Sequence, residues 1–237
     1  MFFLRPNELV MTGLIAALDT TDPQQARRWA SMVAPSCGVL KLGLEFYLAN
    51  GAEGVRLIDG RPVFLDLKLH DIPTTVAGGV RAILPLRPAF LTLHAAGGRA
   101  MIQAARQAAD AAGEHRPKLL AVTVLTSLDA EALHDTGVAG GPRQQVLRLA
   151  RLALDAGADG LVCSAHEIST LRAAIGPEAL LVVPGIRPAG SATGDQARTM
   201  TPREAATAGA DWLVVGRPIT AAADPGAAAA AIAAEIA

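Results

Sequence analysis

The chain has 237 residues, 51% of them hydrophobic and only 18% charged, which excludes a disordered chain and supplies enough apolar material for one large core. A formal net charge of −1 excludes the broad electrostatic footprint of a nucleic-acid or membrane-surface binder, so any anionic ligand has to be held by a local site. The length is close to the roughly 250 residues of an α/β barrel.

The N-terminal stretch MFFLRPNELV lacks the long apolar segment of a signal peptide, and no window reaches about 18 uninterrupted strongly apolar residues. Neither export nor a membrane span is expected. From residue 13 onward, eight short apolar runs alternate with helical patterns: GLIAALD, GVLKLG, PVFLDLK, FLTLHA, LLAVTVL, GLVCSA, LLVVPG and WLVVGR. Their continuous hydrophobicity suits parallel strands buried on both faces. Helix starts are marked by Asp22-Pro23 with Gln25, Ser164 with Glu167, Thr201-Pro202 with Glu204, and Asp224-Pro225. Each supplies a capping side chain, and three add a Pro where a helix tolerates it best. The Ala-rich run from Gly226 to Ala237 reads as a closing helix, with Ile232 and Ile236 four apart. Cys37 and Cys163 sit in apolar, strand-like surroundings that suit reduced core residues, so the cytoplasm is the expected compartment. Strands each followed by a helix predict a single-domain (β/α)8 TIM barrel over residues 1–237. An open doubly wound sheet would read similarly; the strand count and the lack of a second domain or linker favour the barrel.

Barrel enzymes carry their sites at the C-terminal ends of the strands. In chain order those ends hold Asp19, Lys41, Asp66 with Lys68, His94, Ser127, Gly185 with Arg187, and Gly216 with Arg217. Asp66 and Lys68 are two apart on a strand, so regular alternation points both toward the barrel axis and Leu67 toward the helices. Lys41, Asp66 and Lys68 can share a dry cavity only if their charges alternate in space. Blander roles compete at each position. An Asp-x-Lys pair can be a surface ion pair, Asp71 a cap for the third helix, His94 a hydrogen-bonded core histidine and His70 a plain loop residue. His166 and Glu167 belong to a helix start. Glycines after strands 7 and 8 let backbone N–H groups approach phosphate, and Arg187 and Arg217 add planar cationic donors, although Gly-x-Arg also makes plain turns.

The run Asp66-Leu67-Lys68-Leu69-His70-Asp71-Ile72-Pro73-Thr74-Thr75 resembles the D-x-K-x-x-D-I-P-x-T signature of the orotidine 5′-phosphate decarboxylases. The resemblance extends through LDT at 18–20, KLG at 41–43, VTVLTS at 122–127, PGIRP at 184–188, GDQ at 194–196 and VVGRPIT at 214–220. It implies decarboxylation of orotidine 5′-phosphate to UMP in pyrimidine biosynthesis, without cofactor or metal. Lys68 would be the proton donor in an alternating network with Lys41, Asp66 and Asp71. Asp71 and Thr75 would come from the partner subunit of a homodimer. Asp19 and Lys41 would bind ribose hydroxyls, Ser127 the pyrimidine, and Gln196 with Arg217 the phosphate. Pro184, Arg187 and Gly216 would lie in the ligand-binding loops. Two other readings fit the residues: a metal-dependent sugar-phosphate decarboxylase or aldolase on the same barrel, and a non-catalytic barrel that binds a phosphorylated ligand.

Overall fold

The structure, a computed structural model, describes residues 12–188 and 200–237. In chain order it runs β1 (Gly13–Ala17), α1 (Pro23–Val33), β2 (Val39–Gly43), α2 (Leu44–Arg56), β3 (Val63–Leu69), α3 (Pro73–Ile83), β4 (Phe90–His94) and α4 (Gly98–Asp110). It continues with β5 (Lys118–Val122), α5 (Ala130–Asp135), α6 (Pro142–Asp155), β6 (Gly160–Val162), α7 (Ile168–Ile175), β7 (Leu180–Val183), α8 (Pro202–Thr207), β8 (Trp212–Val215), α9 (Arg217–Thr220) and α10 (Pro225–Glu235). The eight strands are parallel, pair in sequence order and close when β8 pairs with β1. All eight apolar runs are strands, and the chain is a (β/α)8 barrel. The plain strand-helix alternation is exceeded twice, by the short helices α5 and α9.

Each strand buries both faces, as its continuous hydrophobicity requires. Alternate residues such as Ile15, Val39, Phe64, Leu120 and Val214 fill the barrel interior. Their neighbours, among them Leu14, Leu40, Leu65, Leu91 and Leu213, pack outward against the helices. The caps follow from the residues that mark them. Asp22 accepts from the Gln24 N–H, Asp224 from the Ala227 N–H, and Thr201 and Glu204 form a reciprocal capping box. At Ser164 the Glu167 carboxylate accepts the Ser164 N–H at 2.9 Å, opening a single tight turn ahead of α7. The closing helix ends at Glu235, one residue before Ile236, and buries Ala229 and Ile232.

The floor of the barrel is aromatic. Phe90 packs edge-on against Phe64 at 5.8 Å and against Trp212 at 5.5 Å. The Trp212 indole lies so close to the start of β1 that a Cβ on Gly13 would come within 2.3 Å of it, so only glycine fits there. Among the described residues this aromatic layer plugs the N-terminal end, and the cavity lies at the C-terminal ends of the strands. The N-terminal end is also stapled by a repeated Ala-Gly-Ala-Asp segment, at 156–159 and 208–211. Asp159 accepts from both terminal guanidinium nitrogens of Arg116, at 2.6 and 2.7 Å, and from the Leu119 N–H at 2.8 Å. Asp211 likewise pairs with Arg172 and accepts the Leu181 N–H at 2.6 Å. Each aspartate thereby ties its own strand to the strand before it.

Candidate active site

A cavity of about 310 Å³ opens at the C-terminal ends of the strands. One wall is charged, with Asp19, Lys41, Asp66 and Lys68. The opposite wall is apolar, with Val122, Val124, Leu125 and Val162, while Pro184, Gly185, Arg187, Gly216 and Arg217 complete the rim. A charged wall facing an apolar slot, with glycines and arginines at the mouth, fits a flat polar ring carrying a phosphorylated arm.

The charged wall is a chain of alternating sign. Lys41 Nζ lies 2.9 Å from Asp19 Oδ1 and 3.6 Å from Asp66 Oδ2, and Lys68 Nζ lies 2.8 Å from Asp66 Oδ1. Side-chain exposure falls from 55% at Asp19 to 10% at Lys41 and 14% at Asp66, then rises to 37% at Lys68, so the middle of the chain is the driest part. Gly43 makes room for it, since a Cβ there would sit 3.1 Å from Asp19 Oδ1 and 3.3 Å from Lys41 Nζ. Burial pushes the Asp66 carboxyl up, but the charges of Lys41 and Lys68 and the hydrogen bonds from Lys68 and Thr92 outweigh it. The net result is a carboxyl held below its usual range and ionised at neutral pH.

Asp66 and Lys68 both reach the cavity and Leu67 packs outward, as alternation predicts, and Asp66 keeps a regular register with β2, but the pairing with β4 is irregular through this stretch. The β3–β4 register jumps from Leu65 opposite Leu91 to Leu69 opposite Leu93, so β3 carries a bulge. At the bulge Lys68 has φ 49°, in the left-handed region that costs an L side chain about 1–2 kcal/mol. Its N–H bonds to Thr92 Oγ1 at 2.9 Å, and Thr92 Oγ1 in turn donates to Asp66 Oδ1 at 2.9 Å. Thr92 is absent from the residues that sequence reasoning selected. The one signal available was a hydroxyl in the otherwise apolar run of β4.

The remaining candidates divide by position. Asp71 and Thr75 are exposed at the start of α3. Asp71 is not a helix cap: Ile72 occupies the cap position, and among the described residues the Asp71 carboxylate accepts its neighbour's N–H alone, at 2.6 Å. Among the described residues Asp71 has no ion-pair partner. Among the described residues His94 has no hydrogen-bond partner for its ring, so the core-histidine reading finds no support there. The residue is half-buried at the end of β4 and stacks on His70 at 5.3 Å. Burial, helped by His70 and Lys68 and opposed by Asp66, lowers its pKa and keeps the ring neutral. Ser127 is exposed and lies just outside the cavity lining, which its neighbour Thr126 joins. Arg187 lines the cavity while its guanidinium also donates to the Ile186 carbonyl at 3.0 Å. Gln196 lies outside the described residues, as does the N-terminal stretch 1–11. Cys37 and Cys163 are buried free thiols, and burial raises both pKa values. Among the described residues no group of three or more His, Cys, Asp or Glu side chains is arranged to hold a metal ion, and no helix is long and apolar enough to cross a membrane.

Residues 12–232 match the model of the orotidine 5′-phosphate decarboxylase / HUMPS family. A protein of Gluconobacter oxydans named orotidine 5′-phosphate decarboxylase is 60% identical over 95% of this chain and 98% of its own length. One of the same name from Rhodospirillum rubrum is 53% identical over 97% of this chain and 96% of its own. Among solved structures, orotidine 5′-phosphate decarboxylase from Lactobacillus acidophilus is similar with a TM-score of 0.85 at 40% identity, covering 95% of this chain and 99% of that one.

Proposed function

The chain belongs to the orotidine 5′-phosphate decarboxylase / HUMPS family, and from that premise we propose a role for each charged group of its cavity. The reaction is the decarboxylation of orotidine 5′-phosphate to UMP in pyrimidine biosynthesis. Loss of carbon dioxide leaves an electron pair at C6 of the pyrimidine, where no adjacent carbonyl can accept it. The protein therefore has to stabilise a localised negative charge, and a fixed cation at C6 is the direct means.

Lys68 is that cation. As the C6–carboxyl bond breaks, its ammonium stabilises the pair left on C6 and then donates a proton to it, recovering one from solvent after turnover. Asp66, held ionised between two lysines, faces the substrate carboxylate. Two such charges about 4 Å apart interact by roughly 4 kcal/mol at an effective dielectric of 20, a repulsion that vanishes as carbon dioxide leaves and that Lys41 and Lys68 partly offset. Asp19 and Lys41 bind the ribose hydroxyls, and Ser127 reads the pyrimidine edge. Arg217 with Gln196 holds the phosphate beside Pro184, Arg187 and Gly216. Phosphate binding remote from C6 supplies energy for assembling the site around the reacting ring. The active unit is a homodimer in which Asp71 and Thr75 of each chain complete the other's site. The whole chain, 1–237, acts as one catalytic domain in the cytoplasm, where its two free thiols would remain reduced.

The observation that carries this reading is the alternating chain Asp19–Lys41–Asp66–Lys68 along one wall of the cavity. It also weighs against a metal-dependent reaction, because the Asp66 carboxylate is already committed to two ammonium groups. A pure binding protein has no use for a strained lysine held against a carboxylate. The test is loss of the ultraviolet absorbance of orotidine 5′-phosphate, with and without chelator, for the natural chain and for Lys68→Ala. Turnover should be indifferent to chelator and absent in the folded variant. Near-normal turnover by a folded Lys68→Ala protein would remove Lys68 from the chemistry.

A further inference from the structure

We infer that Thr92 is a positioning residue for the reaction, holding Lys68 from both its ends through a single buried hydroxyl. The inference rests on the proposed role of Lys68 as proton donor.

Between the paired positions Leu65–Leu91 and Leu69–Leu93, three residues of β3 stand opposite Thr92 alone. The strand ladder cannot serve Lys68 there, and its N–H goes to the Thr92 side chain, at 2.9 Å, in place of a backbone carbonyl. The same oxygen lies 2.9 Å from Asp66 Oδ1, which is also the oxygen that accepts Lys68 Nζ at 2.8 Å. A closed ring results: the Lys68 N–H donates to Thr92, Thr92 donates to Asp66, and the Lys68 ammonium donates to the same Asp66 oxygen.

The direction of each bond is forced. A backbone N–H can only donate and an ionised carboxylate can only accept, so the hydroxyl must accept from the first and donate to the second. Thr92 is fully buried, with 0% exposure, and no solvent competes for either bond. It does not line the cavity. Its influence is on where the Lys68 ammonium stands: the backbone is pinned in its left-handed conformation at one end and the carboxylate partner is oriented at the other. Small displacements of a group that must meet one carbon atom are costly to turnover and cheap for binding.

Thr92→Val keeps the shape and removes the hydroxyl, and Thr92→Ser keeps the hydroxyl and removes a methyl. For Thr92→Val, kcat should fall about 10- to 100-fold with KM for orotidine 5′-phosphate little changed. Thr92→Ser should return most of the lost kcat. A valine variant with normal kcat overturns the inference, as does a serine variant as impaired as the valine one, or a joint collapse of kcat, KM and thermal midpoint. If the valine variant does not fold, Thr92→Ala carries the same comparison. Failure of both to fold makes the hydroxyl a requirement of folding and also overturns the inference. Lys68→Ala, assayed alongside, separates the two levels. An active Lys68→Ala protein removes the underlying reading, whereas an inactive one beside a fully active Thr92→Val removes only Thr92.

Discussion

At Lys68, the residue proposed to carry the chemistry, the backbone is strained. A φ of 49° at a residue with a long side chain persists only because its surroundings over-determine it: the bulge of β3, the Thr92 hydroxyl and the Asp66 carboxylate all act on the same residue. Stability measurements can read that strain separately from the ion pair. Lys68→Ala and Lys68→Gly delete the same ammonium, but only glycine adopts the left-handed conformation without a Cβ penalty. After allowing for glycine's larger unfolded-state entropy, the Gly variant should be the more stable by about 0.5–1 kcal/mol in denaturant titration, reversing the usual Ala-over-Gly order. An Ala variant as stable as the Gly one would mean that the conformation carries no strain. The Asp-x-Lys spacing was legible because it is local. The bulge at the lysine was not, because it depends on a partner 24 residues away on the next strand.

Among the elements, the strands and their N-terminal staples carry the fold independently of the site. Burial pushes the Asp159 carboxyl up, but the Arg116 hydrogen bonds, the Leu119 N–H and the charges of Arg116 and Lys118 bring it below its usual range. A carboxyl with a depressed folded-state pKa stabilises the native protein above its unfolded value, about pH 4, and loses that contribution as pH falls through the folded value. Asp159→Ala should therefore cost about 2–3 kcal/mol near neutrality, by reducing Arg116 to its 3.4 Å contact with Asp110 and leaving the Leu119 N–H without its carboxylate acceptor. The gap to the natural chain should narrow progressively below about pH 4. A gap that stays constant down to the acid transition would show that the staple does not act through ionised Asp159. The activity of the folded variant should be normal, since this end of the barrel is closed off from the cavity by Phe64, Phe90 and Trp212.

For the molecule as a whole, one chain provides the charged wall and leaves the rest of the signature on its surface. Asp71, Ile72 and Thr75 are all exposed, Ile72 to 64%, and a large apolar side chain standing between two polar residues of the signature suits a surface covered by a second copy. If Asp71 serves the neighbouring site, Lys68→Ala and Asp71→Ala chains are each inactive alone and complement when mixed. Random exchange makes half of the dimers mixed, each with one intact site of two, so about a quarter of the natural specific activity should return. No recovery despite demonstrated subunit exchange would place Asp71 in its own chain's site or outside the chemistry.

The sequence alone determined the barrel, the order of its strands, four of the helix starts and the identity of the four charged residues along the cavity wall. All of these rest on local periodicity, on capping side chains next to the helices they cap, or on a contiguous signature. Tertiary structure decided what depends on contacts between distant segments. Gly13 is required by Trp212 on the strand that closes the barrel, and a side chain at Gly43 would crowd Asp19 and Lys41 where they meet. His94 stacks on His70 instead of finding a core hydrogen bond. At Lys68 a hydroxyl on the neighbouring strand receives the N–H where the ladder cannot. Alternation along one strand predicts which side a residue faces, but only pairing with the next strand shows where the alternation breaks.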